Sequence, residues 1–311
     1  MARLRNALLG LLALAPLALA SPKPIADHDL LVRSSSAEQA QTLEIREEKK
    51  EPEKPKTPKY FREPGGSLAR SHYDIRFFSD EVPYAEHRYV LRDLIRSYLT
   101  ALHERGVETW LAHGTLLGWW WNGQIMPWDF DLDVQVTNHT LQWLGENLNR
   151  TEHTYNATSP DDPTGDTVIA KTYLLDINPH HVDIDRGDAQ NIIDARWIDM
   201  QNGMFIDITG VREREADRPG VWSCKNKHRY DSQDLWPMRM STFEGVRARI
   251  PYSFQRILSD EYGEKSLVAE EWEGHRWEAS IKEWVKMSEE EVVQRKMDAE
   301  KAKQDALDAQ N

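Results

Sequence analysis

A single cysteine, Cys224, stands in 311 residues, so no internal disulfide can form. In an oxidising compartment a lone thiol of this kind reads as a small buried apolar residue rather than a reactive group. Cationic side chains are also scarce. Thirty-nine Lys and Arg face 52 Asp and Glu, a formal charge of −13. That balance excludes an unaided grip on nucleic acid or anionic lipid, whose phosphates attract Lys and Arg. An anionic substrate needs local cations or a metal. Long apolar runs are missing beyond the first twenty residues, so no other stretch is long enough to cross a bilayer. Apolar residues themselves are plentiful, at 40% with 12 Trp, enough for a sizeable core. The mean hydropathy of −0.69 therefore comes from polar appendages.

Those appendages lie at the ends. Arg3 and Arg5, an apolar Ala7 to Leu19, and Ala18-Leu19-Ala20 before Ser21 predict a secretory signal over 1–20. The rival reading is an uncleaved Golgi-type anchor. Either puts the chain in the secretory pathway, in the Golgi lumen or secreted. Sequons at Asn138, Asn149 and Asn156 fit a glycosylated surface helix and loop there. Ser34 to about Lys59 is rich in Glu, Lys, Pro and Ser, which cannot bury enough surface to offset chain entropy. The expected organisation is a disordered stem over 21–62, a working domain over 63–275 and a charged helical tail over 276–311. In that tail Ile281, Trp284 and Val285 offer a short apolar stripe, either solvated or a partner surface.

In the working domain, the spacing of Val90, Leu91, Leu94, Ile95, Tyr98, Leu99 and Leu102 predicts one buried helical stripe over 84–104, ended by Gly106. Val107 to Ala112 reads as a strand leading to His113-Gly114-Thr115. Leu116 to Trp121 then reads as a buried helix start, with the triple Trp119 to Trp121 on its packed face rather than stacked on sugar or base. Tyr173 to Ile177 and Arg196 to Gln201 are further strands. Asn202-Gly203 has the signature of a type I′ hairpin leading into Met204 to Ile208. Strict two-residue pairing would set Asp199 beside Ile206 on an apolar face, so the register stays open.

The chemistry concentrates in Pro127-Trp128-Asp129-Phe130-Asp131-Leu132-Asp133. In an extended strand over 129–136, Asp129, Asp131 and Asp133 share one face, with Phe130, Leu132, Val134 and Val136 on the other. Carboxylates about 6 to 7 Å apart repel unless a cation or proton intervenes. A divalent metal beside a Gly-Thr turn points to phosphate chemistry. Asp207 lies in a later apolar strand, available to the same site. Cys224-x-x-x-His228 has the spacing of half a zinc site, but no second pair follows. His180-His181 after Pro179 reads as a surface turn.

Gly-Thr-Leu-Leu-Gly at 114–118, the acidic run, Ala195 to Asp199, Phe205 to Ile208, Cys224 with Asn226, His228 and Tyr230, Phe243-Glu244-Gly245-Val246, and Asp260-Glu261-Tyr262-Gly263 together resemble the LicD family, most closely its fungal branch. The likeness runs from about Tyr73 through Gly263. It implies an α+β, nucleotidyltransferase-like mixed sheet flanked by helices. It further implies transfer of mannose-1-phosphate from a nucleotide-sugar donor, GDP-mannose, to a glycan hydroxyl, with GMP released. Asp131 and Asp133 would hold Mg²⁺ or Mn²⁺, and Asp207 would complete the metal shell or take the hydroxyl proton. Asp129 would act behind them. Backbone amides around Gly114 and Thr115 would cradle phosphates, with His113, where many family members carry glycine, contacting the donor or packing. Two other readings stay open. One is a non-catalytic regulatory subunit supporting a partner transferase. The other is a conventional glycosyltransferase, which would release GDP.

Overall fold

The computed structural model describes residues 58–159, 162, 164, 166–183 and 190–308. All fall in the compact unit Glu53–Asn311. The expected signal segment and nearly all of the expected stem lie outside the described residues. Where description begins, the chain is already packed: Phe61 is buried, and Asn191 Oδ1 accepts the Tyr60 N–H at 2.7 Å.

Helix α1, Tyr84–Glu104, buries the expected stripe from Val90 to Leu102. Strand β1 is only Trp110–Leu111, shorter than the 107–112 expected, and leads into α2, His113–Asn122. Strand β2, Asp133–Thr137, runs into α3, Asn138–Asn147. Then come β3 (Thr151–Thr158), β4 (Val168–Ile177), β5 (Ala195–Asp199) and β6 (Phe205–Glu213). Strands β7 (Val221–Ser223) and β8 (Arg229–Asp231) form a short hairpin, followed by α4 (Ser232–Leu235). The hairpin β9 (Arg239–Phe243) and β10 (Val246–Ile250) precedes α5, Phe254–Tyr262. Last are β11 (Glu271–Trp272), β12 (His275–Glu278), β13 (Glu283–Lys286) and helix α6, Glu289–Asp308.

The main sheet is ordered β1-β2-β6-β5-β4-β3, with β7 and β8 continuing from β6. Its β2–β6 pair is parallel and the others are antiparallel, giving the mixed α+β sheet flanked by helices that the sequence predicted. Helix α1 packs on β3, β5, β6 and β10, while α3 covers β2 and β6. The three indoles of α2 dock later elements. Trp119 donates to Ser241 Oγ, and Trp120 and Trp121 donate to the Leu267 and Ser266 carbonyls. Among the described residues no helix is long and apolar enough to cross a membrane.

Three expectations need correction. The acidic strand begins at Asp133, not Asp129: a turn in which Met126 C=O accepts the Asp129 N–H holds the chain off the sheet until then. Phe130 is consequently 37% exposed, lying against His87 rather than in the core. The hairpin joining β5 to β6 is wider than two residues, because Ile198 pairs with Phe205 and Trp197 with Ile206. Asp199 escapes the apolar face and caps the loop, accepting from Gln201 N and Asn202 Nδ2. Ile281 to Val285 is not helical; Trp284 pairs opposite Trp277 in a three-stranded sheet, and both rings pack against Trp121.

Candidate active site

Strands β2 and β6 lie parallel with Asp133 beside Asp207. Residues in register on neighbouring strands point to the same side, so acids from two distant parts of the chain meet on one face. Both are pinned at the backbone: Asp133 N–H donates to Thr115 Oγ1 at 2.8 Å, and Asp207 N–H to Leu132 C=O at 2.9 Å. The Gly-Thr-Leu-Leu-Gly wording has a local reason. A Cβ on Gly114 would sit 3.0 Å from Asp129 Oδ2, and one on Gly118 only 2.4 Å from the Gln124 carbonyl oxygen. The first glycine admits a carboxylate against the start of α2. The second admits the loop that carries the acids, while Thr115 catches Asp133 and Leu116 anchors the helix in the core.

The acids repel one another. Burial, then hydrogen bonding and charge from Asp131, push Asp129 up to about 9. Burial raises Asp133 to about 8, with Asp131, Asp207 and Glu261 adding to the rise and His113 opposing it. Asp207 is raised by burial and by Asp131, against the pull of Arg196. Asp131 is the exposed member, facing solvent while acting on the other three. Negative charge of this density, made entirely of oxygen ligands, suits a hard divalent cation.

Two placements modify the expected roles. The group set against Gly114 is the Asp129 carboxylate, so an acid lies where amides were expected to cradle phosphate. Asp207 Oδ1 accepts from Arg196 Nε at 2.8 Å, and Arg196 also donates to Glu63 Oε1 at 2.8 Å. The Arg196 guanidinium, 3% exposed, is sandwiched by Phe61 and Phe205.

His113 sits at the mouth of α2 with φ +51°, a backbone conformation that a glycine would adopt at less cost. Its Nδ1 lies 2.5 Å from Glu261 Oε1, and its ring centroid 4.3 Å from that of His228. Burial opposes protonation of His113, but the Glu261 hydrogen bond and the charges of Asp133, Glu261 and Asp131 outweigh it and raise its pKa. Glu261, Tyr262 and Arg196 are neighbours of the acids to which sequence reasoning gave no role, and His228, beside His113 and Glu261, was weighed only as half of a zinc site with Cys224. Burial and the charges of Glu261, Asp133, Asp129 and Asp131 keep the Tyr262 hydroxyl protonated far above neutral pH. Beside Asp129 opens a groove of about 600 Å³ whose lining includes Arg88, Arg92 and Lys286. Among the described residues, the His, Cys, Asp and Glu trio whose ligand atoms all lie within 4.8 Å is His113, His228 and Glu261. The sheet sets Asp133 beside Asp207, with Asp131 in the preceding loop acting on both, without closing the three to that distance.

Residues 106–253 match the family model described as the LicD/FKTN/FKRP nucleotidyltransferase domain. Among curated proteins, the chain is 33% identical over 183 residues to Mannosyltransferase regulator 4 of Saccharomyces cerevisiae, covering 58% of this chain and 15% of that protein. It is 34% identical over 146 residues to Mannosyltransferase regulator 14 of the same yeast, covering 45% and 14%. The match thus spans about a seventh of either relative.

Proposed function

We infer, from the match of residues 106–253 to the LicD/FKTN/FKRP nucleotidyltransferase domain, that this chain transfers a sugar phosphate to a glycan hydroxyl, with mannose-1-phosphate from GDP-mannose as the group moved. The observation carrying this reading is the pairing of Asp133 with Asp207 on adjacent parallel strands, beside Asp131 and Asp129, in a setting that charges them against one another. Asp131 and Asp133, with Asp207, would hold Mg²⁺ or Mn²⁺. When bound, such an ion neutralises charge on the phosphate oxygens as the leaving group departs. The acceptor oxygen bonds to the phosphorus that bears mannose, the bond to GMP breaks, and the hydroxyl proton passes to a carboxylate, a role we give to Asp207 if it does not complete the metal shell instead. Arg88, Arg92 and Lys286 supply the local cations that an anionic donor needs in a chain of charge −13. A secretory leader would deliver this activity to the lumen, where glycan acceptors are found.

A second reading is favoured by the names of the relatives, both mannosyltransferase regulators. In it the chain keeps the fold, binds nucleotide without turnover and supports a partner transferase. Incubating the purified chain with GDP-mannose, Mn²⁺ and a mannan acceptor separates the two. GMP release that Asp131→Asn or Asp133→Asn abolishes, with folding and secretion intact, supports transfer. Nucleotide binding with no GMP supports the regulator, and release of GDP instead marks a conventional glycosyltransferase. Near-normal metal-dependent GMP release by either variant removes the site assignment.

A further inference from the structure

We propose that His113, His228 and Glu261 form a second metal site, taking a borderline divalent ion of the Zn²⁺ class and distinct from the all-oxygen aspartate site. The three come from separate elements: the first residue of α2, the turn between β7 and β8, and the end of α5. Glu261 Oε1 is the shared centre, 2.5 Å from His113 Nδ1 and 3.8 Å from His228 Nε2. Two imidazole nitrogens and one carboxylate are the three-ligand set of many zinc centres that keep a fourth position open. Imidazole also biases a site away from Mg²⁺, which prefers oxygen alone.

The surroundings orient these ligands. Cys224 Sγ lies 3.3 Å from His228 Nδ1, and the Cys224 N–H donates to the His228 carbonyl. The thiol thus engages the rear nitrogen and turns Nε2 toward Glu261, as outer partners of metal-bound histidines do. The His113 to Glu261 contact is a hydrogen bond, and an ion would take the place of its proton. On the other side His113 Nε2 is 3.5 Å from Gln135 Nε2, too long to fix the ring's proton. His113 adopts φ +51°, a conformation that a side chain occupies at some cost and that recurs at ligand-holding positions. A cavity of about 220 Å³, lined by His228, Glu261 and Tyr230 among others, gives access from outside.

This site asks nothing of the reaction proposed above, because Zn²⁺ binding and GMP release are separate readouts. The test uses the full chain, stripped with chelator and titrated calorimetrically with Zn²⁺ in excess Mg²⁺. One Zn²⁺ should bind per chain. His228→Ala and the near-isosteric Glu261→Gln should each weaken it at least about tenfold. The Asp131→Asn, Asp133→Asn double variant should still bind one Zn²⁺ per chain. Co²⁺ in place of Zn²⁺ should give visible absorption bands that Glu261→Gln diminishes, with circular dichroism reporting the fold of each variant. No Zn²⁺ binding by the parent, or parent-like affinity in both His228→Ala and Glu261→Gln, overturns the proposal. So does loss of binding in the aspartate variant, which would make the two sites one.

Discussion

The turn that presents His228 is held by a buried ion pair, and replacing Lys225 with methionine tests how much depends on it. Lys225 Nζ lies 2.7 Å from Asp194 Oδ1, with side-chain exposures of 1% and 0%. The ammonium also donates to the His180 and Asn191 carbonyls, and Asp194 Oδ2 accepts the Gly210 N–H at 2.8 Å. Breaking a buried pair leaves a carboxylate without its counter-charge, a loss of about 3–5 kcal/mol. At about 2–4 °C per kcal/mol for a domain of this size, the melting temperature of Lys225→Met should drop by about 6–20 °C. Protonation limits the loss. Burial already raises the Asp194 pKa despite Lys225, and removing the lysine raises it further. A carboxyl with a raised folded-state pKa favours the folded state while protonated, and that contribution fades as pH climbs through the raised value. The variant should therefore lose stability more steeply than the parent from pH 5 to 8, by at most about 1.4 kcal/mol per pH unit. Adding Asp194→Asn removes the stranded charge and keeps an acceptor for Gly210, so the double variant should recover much of the loss. Denaturant unfolding followed by tryptophan fluorescence measures all three proteins. A single variant melting within about 2 °C of the parent at neutral pH, or a double variant no more stable than the single, would refute the reasoning.

The two glycines of α2 should rank by what they face. Gly118→Ala meets a backbone carbonyl at 2.4 Å and should cost more of the about 1–3 kcal/mol typical of overpacking than Gly114→Ala, which meets a movable carboxylate at 3.0 Å. Equal melting temperatures would contradict this, and Gly114→Ala should instead show its effect on donor turnover by displacing Asp129. Asp129 and Asp133, at about 9 and about 8, are protonated near neutrality without metal, a stabilising state that is lost as pH rises past those values. Mn²⁺ must displace the proton on its ligand Asp133, so its apparent affinity should climb by up to about tenfold per pH unit between pH 6 and 8. Thermal melts with and without Mn²⁺ should show a larger increment at pH 8.5 than at pH 6; equal increments would mean that the ion binds elsewhere.

What the sequence disclosed divides by the range of the interaction. The α1 stripe from Val90 to Leu102 was legible because a helix face is a local periodicity, and the structure places the helix at the residues expected. Asp133 and Asp207 were legible because each lies in an apolar strand where an unpartnered acid is conspicuous. The strand before Asp133 was misread for a reason in the same principle: alternation from 129 to 136 fits a strand, but the turn at Met126 and the seat against Gly114 are tertiary facts that alternation does not encode. Arg196 and Glu261 stood within motifs that carry the resemblance but received no role. An arginine in Ala195-Arg196-Trp197-Ile198-Asp199 and a glutamate in Asp260-Glu261-Tyr262-Gly263 look like ordinary surface charges until Glu63 and Asp207 close on the first and His113 on the second. His113 and Glu261 are 148 positions apart. A functional contact over that distance is written in how α5 docks on α2, through Trp119 and Trp120 against Phe254, rather than in any spacing. The tryptophan run, read as a packed helix face, is therefore also part of the site: by fixing α5 through Phe254, Trp119 and Trp120 set where Glu261 stands, and a smaller residue at Trp120 should loosen the His113–Glu261 contact without touching either partner.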